Sequence, residues 1–133
     1  MCGFAGVIDL RATLGRDALT AILASMTDAI AHRGPDDSGF WAEPETGVGL
    51  GFRRLAILDL TPEGHQPMTS ACGRYVMVFN GEVYNHGNLR TELGGGDRDW
   101  RGRSDQTVNR YYHHLQSHQR PAASHGEFHL RRR

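Results

Sequence analysis

The chain begins "MCGFAGVIDL", so Cys2 stands directly behind the initiator methionine. Methionine removal favours a small second residue, and cysteine is one. Removal would leave a thiol and a free α-amine on the same residue. The amine has a reference pKa of about 7.7–8.0 and the thiol about 8.5, so proton transfer between them is nearly balanced near neutral pH. An N-terminal amine can thus serve as the base that turns a thiol into a nucleophile. The competing reading is an incidental cysteine at a chain end, where order and sequence usually matter little. Phe4, Ala5, Val7 and Ile8 follow at once, a short apolar run fit for a buried strand that would hold Cys2 still.

A second candidate lies in "FNGEVYN". The preceding stretch Tyr75–Phe79 is continuously apolar, as expected of a strand covered on both faces. A strand end is a good place for a site, because the scaffold fixes the backbone and the next residues stay accessible. Asn80 brings a side-chain amide donor, and Gly81 leaves its backbone N–H open to close approach. Two such donors can hold a developing oxyanion. Asn-Gly is equally the strongest short signal for a hairpin turn, and the residues alone leave both readings open. His32, His65 and His86 match no common metal-ligand spacing and are read as structural. Cys72, in "SACGR", is read as an inert thiol.

The elements that must position these groups follow from periodicity. Leu19, Ile22, Leu23, Met26 and Ile30 fall at helical spacing, so a helix is expected from Asp17 to near His32, its stripe packed on a sheet. "RGPDDSG" ends it, because the residue before a proline resists the α region. "SGFWAE" and "VGLGFRRLAILDL" are extended candidates separated by the turn "PETG". "TPEGHQPM" is turn-rich, and "HGNLRTEL" reads as a short helix ended by Gly94, Gly95 and Gly96. Helix and antiparallel-looking strands with short connections make an α+β domain.

The bulk properties set limits. A chain of 133 residues fits one domain with a real core. Its formal net charge is zero, so nothing global points to nucleic acid or an anionic membrane. Two cysteines make no disulfide framework, and a reduced, cytoplasmic setting is the default. No apolar run reaches membrane-span length, and the start lacks the basic flank and long apolar core of a signal peptide.

"MCGFAGVID", "AHRGPDDSGFW", "LGFRRLAILDL", "GHQPM" and "VFNGEVYNHGNLRTEL" occur in an order and spacing that resembles the glutaminase domain of glutamine-hydrolysing asparagine synthetases. That domain is a class II glutamine amidotransferase among the N-terminal nucleophile hydrolases. The resemblance covers roughly residues 1–105. It implies an α+β fold of the four-layer αββα sandwich type, here incomplete. It implies hydrolysis of L-glutamine to glutamate and ammonia through a cysteinyl thioester, with Cys2 as nucleophile and Asn80 and Gly81 as oxyanion donors. Arg54 is at the position that pairs with the substrate's α-carboxylate, a match its forked guanidinium suits. Arg53 is given no role. Glu82 and Asp105 match the positions that hold the α-ammonium, and Leu55 and Ile57 match residues lining the substrate pocket. No cofactor is implied for this half-reaction. ATP and Mg²⁺ belong to a synthetase domain, separate or fused, that would pass the ammonia to aspartate and that this chain does not include.

Past "RSD" the family's phrases are not found. Residues 106–133 carry five arginines against one acid and five of the eight histidines, with no sustained period-2 apolar run. Such a tail is expected to bury little and to contribute no strand, which would leave the Tyr75–Phe79 strand with a bare edge. The alternative to an active glutaminase is a non-catalytic remnant, or a module that holds glutamine without turning it over.

Overall fold

The structure is a computed structural model that describes residues 1–57, 60–70, 73–92 and 127–131. The chain divides into two compact units, one of residues 1–56 with 65–67 and the other of residues 57–64 with 68–133.

In the first unit, β1 (Gly3–Ile8), β2 (Asp37–Glu43) and β3 (Val48–Arg54) form an antiparallel sheet in the order β1-β3-β2. The expected turn joins β2 to β3. Its last residue, Gly47, has φ +67 and donates to the Pro44 carbonyl at 3.0 Å. A side chain there would also meet the Asp9 carbonyl at 2.0 Å, so both backbone shape and space demand glycine. Helix α1 (Arg16–Ala29) lies on the sheet face that carries Gly49 and Gly51. A Cβ added at Gly49 would stand 2.8 Å from Leu23, and one at Gly51 would stand 2.7 Å from Thr27. The absence of side chains on β3 lets the helix sink along the line Leu19, Leu23, Thr27, all fully buried. This narrows the expected stripe: Ile22 and Met26, on its flank, stay 38% and 39% exposed. A broad apolar stripe suits a helix resting on bulky side chains, whereas a glycine-lined groove takes a single i, i+4 ridge.

The central strand β3 has Val48, Leu50, Phe52 and Arg54 buried. β1 does not match the expected buried strand. It is an edge strand, so Phe4 and Ile8 remain 37% and 58% exposed. β3 also ends at Arg54, short of the apolar run that continues to Leu60. The Ala56 N–H leaves the ladder and donates to the Asp36 carboxylate at 2.8 Å.

In the second unit, β4 (Met68–Thr69), β5 (Tyr75–Phe79) and β6 (Glu127–Arg131) form an antiparallel sheet in that order. Val76, Met77, Val78 and Phe79 are consecutive and all buried, so β5 is covered on both faces. Val83 packs against the cluster of Met68, Met77 and Phe79. Helix α2 (His86–Glu92) follows. Strand β6 corrects the expectation of a bare edge, for it pairs along all of β5, with Leu130 opposite Val76 and Phe128 opposite Val78. "EFHLR" alternates polar and apolar residues, but over five residues only, too briefly to stand out in a polar tail.

The molecule is a small mixed domain of helices and antiparallel sheets. Among the described residues no helix is long and apolar enough to cross a membrane, and no group of three or more metal-ligating side chains is present.

Candidate active site

Gly3 on β1 lies opposite Arg53 on β3, so the residues just past that pair, Cys2 and the segment Arg54–Leu55, meet at one end of the sheet. Cys2 is half-buried. The Leu55 backbone N–H donates to its sulfur at 3.3 Å, and the thiol donates to the Leu55 carbonyl at 3.6 Å. The Cys2 carbonyl accepts the Arg33 Nε at 3.2 Å, which fixes the residue on its other side. Met1, ahead of it, is 79% exposed.

Arg54 and Arg53 have different fates. Arg54, the last residue of β3, is only 6% exposed. Arg53 points to the opposite face and reaches the end of α1, where its Nε donates to the Thr27 carbonyl at 3.3 Å and its guanidinium pairs with Asp28. A cation at a helix C-terminus satisfies open carbonyls and complements the dipole. Its role is structural.

The wall behind Cys2 is built by "RGPDD", a helix stop and part of a family-like motif in which no residue was expected to serve the site. Asp36 brackets the Arg54–Ala56 segment: its N–H donates to the Arg54 carbonyl at 3.0 Å, and its carboxylate accepts the Ala56 N–H at 2.8 Å. Gly34 makes this contact possible. A Cβ there would stand 2.5 Å from the Arg53 backbone carbon. Asp37 takes the His65 Nδ1 at 2.7 Å, so the segment after Ala56 is tied back to β2 where it returns. The buried Gln66 follows, its carbonyl 2.0 Å from where a Cβ on Gly39 would lie. These positions were missed because most of them act on the main chain, and Asp37 acts on a histidine brought back from a distant loop. The signal available was the cluster of glycine and two aspartates between two elements.

Asn80, Gly81 and Glu82 lie in the second unit. Asn80 directly follows β5 and is half-buried, while Gly81 and Glu82 are exposed. The hairpin reading of Asn-Gly does not hold, because the next element is α2 rather than a strand. The backbone N–H of His86 and its Nδ1 both lie at the Val83 carbonyl, 3.1 and 3.0 Å away. Ile57, expected to line a pocket, opens the second unit 71% exposed. Asp105 and Cys72 lie outside the described residues, as do Gly94, Gly95 and Gly96.

The sequence matches the glutamine amidotransferase domain family over residues 1–129. The chain belongs to that family. The match runs past Asp105, where the motif resemblance ended, and includes most of β6. Among curated relatives, asparagine synthetase [glutamine-hydrolyzing] 2 of Bacillus subtilis strain 168 is 44% identical over 93 residues, which is 70% of this chain and 12% of the relative. A putative asparagine synthetase [glutamine-hydrolyzing] of Mycobacterium bovis is 46% identical over 86 residues, 59% of this chain and 13% of the relative. A second putative enzyme of that name, from Methanocaldococcus jannaschii, is 36% identical over 116 residues, 71% of this chain and 22% of the relative. The amidotransferase chain thus spans 12% to 22% of the length of these relatives.

Proposed function

We propose that this amidotransferase domain hydrolyses L-glutamine to glutamate and ammonia, with Cys2 as nucleophile once Met1 is removed. The observation that carries the reading is the placement of the Cys2 sulfur, 3.3 Å from a backbone donor beside the buried Arg54, in a chain of this family. The small second residue, Cys2, favours removal of Met1. The freed amine takes the thiol proton, and the thiolate attacks the side-chain carboxamide carbon. The negative charge passes to the carboxamide oxygen, which Asn80 and the Gly81 N–H would stabilise. Collapse expels ammonia, carrying the proton returned by the amine, and leaves a thioester. Water attacks the thioester and releases glutamate.

Arg54 would hold the α-carboxylate, and Glu82 and Asp105 the α-ammonium. Leu55 and Ile57 would line the pocket. In a complete protein on the N-terminal nucleophile hydrolase plan, a four-layer αββα sandwich would hold these residues. ATP and Mg²⁺ would enter only in a synthetase domain that uses the ammonia to make asparagine. The reading is supported by the names of the relatives, which pair glutamine hydrolysis with asparagine synthesis.

The test is ammonia release from glutamine by protein of verified N-terminus. Turnover that is lost in Cys2→Ala supports the reading. Saturable glutamine binding with no ammonia released would instead mark a glutamine-holding module.

A further inference from the structure

We infer that Asp36 is a positioning residue for the nucleophile. This rests on the assignment of Cys2 as the reactive thiol. Asp36 touches neither the thiol nor, on this reading, the substrate. Its two bonds grip the main chain on either side of Leu55, at the Arg54 carbonyl (3.0 Å) and the Ala56 N–H (2.8 Å). The residue between those grips is the one whose N–H donates to the Cys2 sulfur at 3.3 Å.

That arrangement matters because the sulfur has two partners on one residue, the Leu55 N–H and the Leu55 carbonyl at 3.6 Å. Which of them dominates depends on how the Leu55 backbone is turned. The segment has already left the β3 ladder, and among the described residues no strand pairs with it. The carboxylate of Asp36 supplies the constraint, held close by the approach Gly34 permits. A donor fixed toward sulfur holds the nucleophile in one place and one orientation.

Two charged side chains bond the main chain that holds the thiol, Arg33 at the Cys2 carbonyl and Asp36 at the Ala56 N–H. Removing the Asp36 carboxylate changes the local charge as well as the bond. The comparison must therefore be made between two uncharged variants. Asp36→Asn keeps an oxygen that can accept the Ala56 N–H, and Asp36→Ala does not.

The experiment is alkylation of Cys2 by iodoacetamide at neutral pH in the full chain, followed by mass mapping of the Cys2 peptide, in the parent, Asp36→Asn and Asp36→Ala. Asp36→Asn should react at or above the parent rate. Asp36→Ala should react several-fold slower than Asp36→Asn, because the Leu55 N–H is then no longer held toward the sulfur. A residue that merely kept the terminus packed would give the opposite sign, since loosening uncovers a half-buried thiol and speeds alkylation. Equal rates in the two variants, or a faster Asp36→Ala, would overturn the inference. Alkylation requires no glutamine turnover, so these rates can be read even if ammonia release is absent. Should alkylation follow the expected order while no ammonia forms, the glutaminase reading fails and the positioning role stands.

Discussion

Arg53 and Arg54 are adjacent and chemically alike, yet β3 turns them to opposite faces, one to cap α1 and the other to end buried. Different measurements should separate them. Arg53→Ala should leave kcat and KM for glutamine unchanged and lower stability by about 0.3–1 kcal/mol, the worth of a cation at a helix C-terminus. Arg54→Ala should mainly raise KM, because the α-carboxylate is charged in ground and transition states alike. Asn80→Ala should instead lower kcat, by about 10²–10³-fold, as loss of one oxyanion donor does. Steady-state kinetics on the variants checks all three, and a rise in KM alone for Asn80→Ala would remove its assigned role. At this scale the sequence was informative where a residue's use is chemical. Cys2 and Asn80 carry groups that type and neighbours offer as candidates, whereas Arg54 became one only through the family resemblance. It was silent on Asp36, Asp37 and Gly34, whose work is done on main-chain atoms or on a loop's return.

Helix α1 and the turn from β2 to β3 were legible, because a 3.6-residue period and a proline-to-glycine turn are local signals. Which side of α1 would be buried was not, since that depends on the glycines of a strand more than twenty positions away. Those glycines are testable. Gly34→Ala forces a Cβ against the Arg53–Arg54 backbone, which cannot give way as a side-chain tip can. It should destabilise the chain by at least about 1–3 kcal/mol, the usual cost of overpacking. Gly51→Ala crowds a side chain, the Thr27 methyl at 2.7 Å, with Phe40 and Leu23 at ordinary contact, and should cost less. Thermal unfolding ranks the two. The connection from β1 to α1 is organised by Asp9, whose carboxylate accepts the backbone N–H groups of Leu14, Thr13 and Arg11. These bonds, Leu14 first, hold its pKa below the ordinary value against a smaller opposing effect of desolvation. Its stabilisation is therefore complete above the ordinary carboxylate range near pH 4 and is lost as pH falls through the lowered folded pKa. Asp9→Asn should flatten the acid limb of a stability–pH curve and leave its slope near neutrality unchanged.

At the scale of the whole molecule, strand β6 carries the largest departure from what the sequence suggested. Its five residues pair along β5, whose other neighbour β4 reaches only Val76 and Met77. Removing residues 127–133 should leave one edge of β5 unpaired, an invitation to self-association. Light scattering should rise, and amide protection at Val76–Val78 should fall in hydrogen exchange. Unchanged protection would mean that β6 adds nothing to the sheet. The tail's charge and histidine content masked this strand, because composition averages over a segment while pairing needs only a short alternation in the right register.

The most direct test of the central claim is the intact mass of the protein after treatment with a glutamine analogue that carries an electrophile in place of the carboxamide. We predict one adduct, on a chain that has lost Met1, mapped to Cys2 and prevented by excess glutamine. An adduct that forms equally well with Met1 retained, that maps to Cys72, or that glutamine does not suppress would contradict Cys2 as the N-terminal nucleophile.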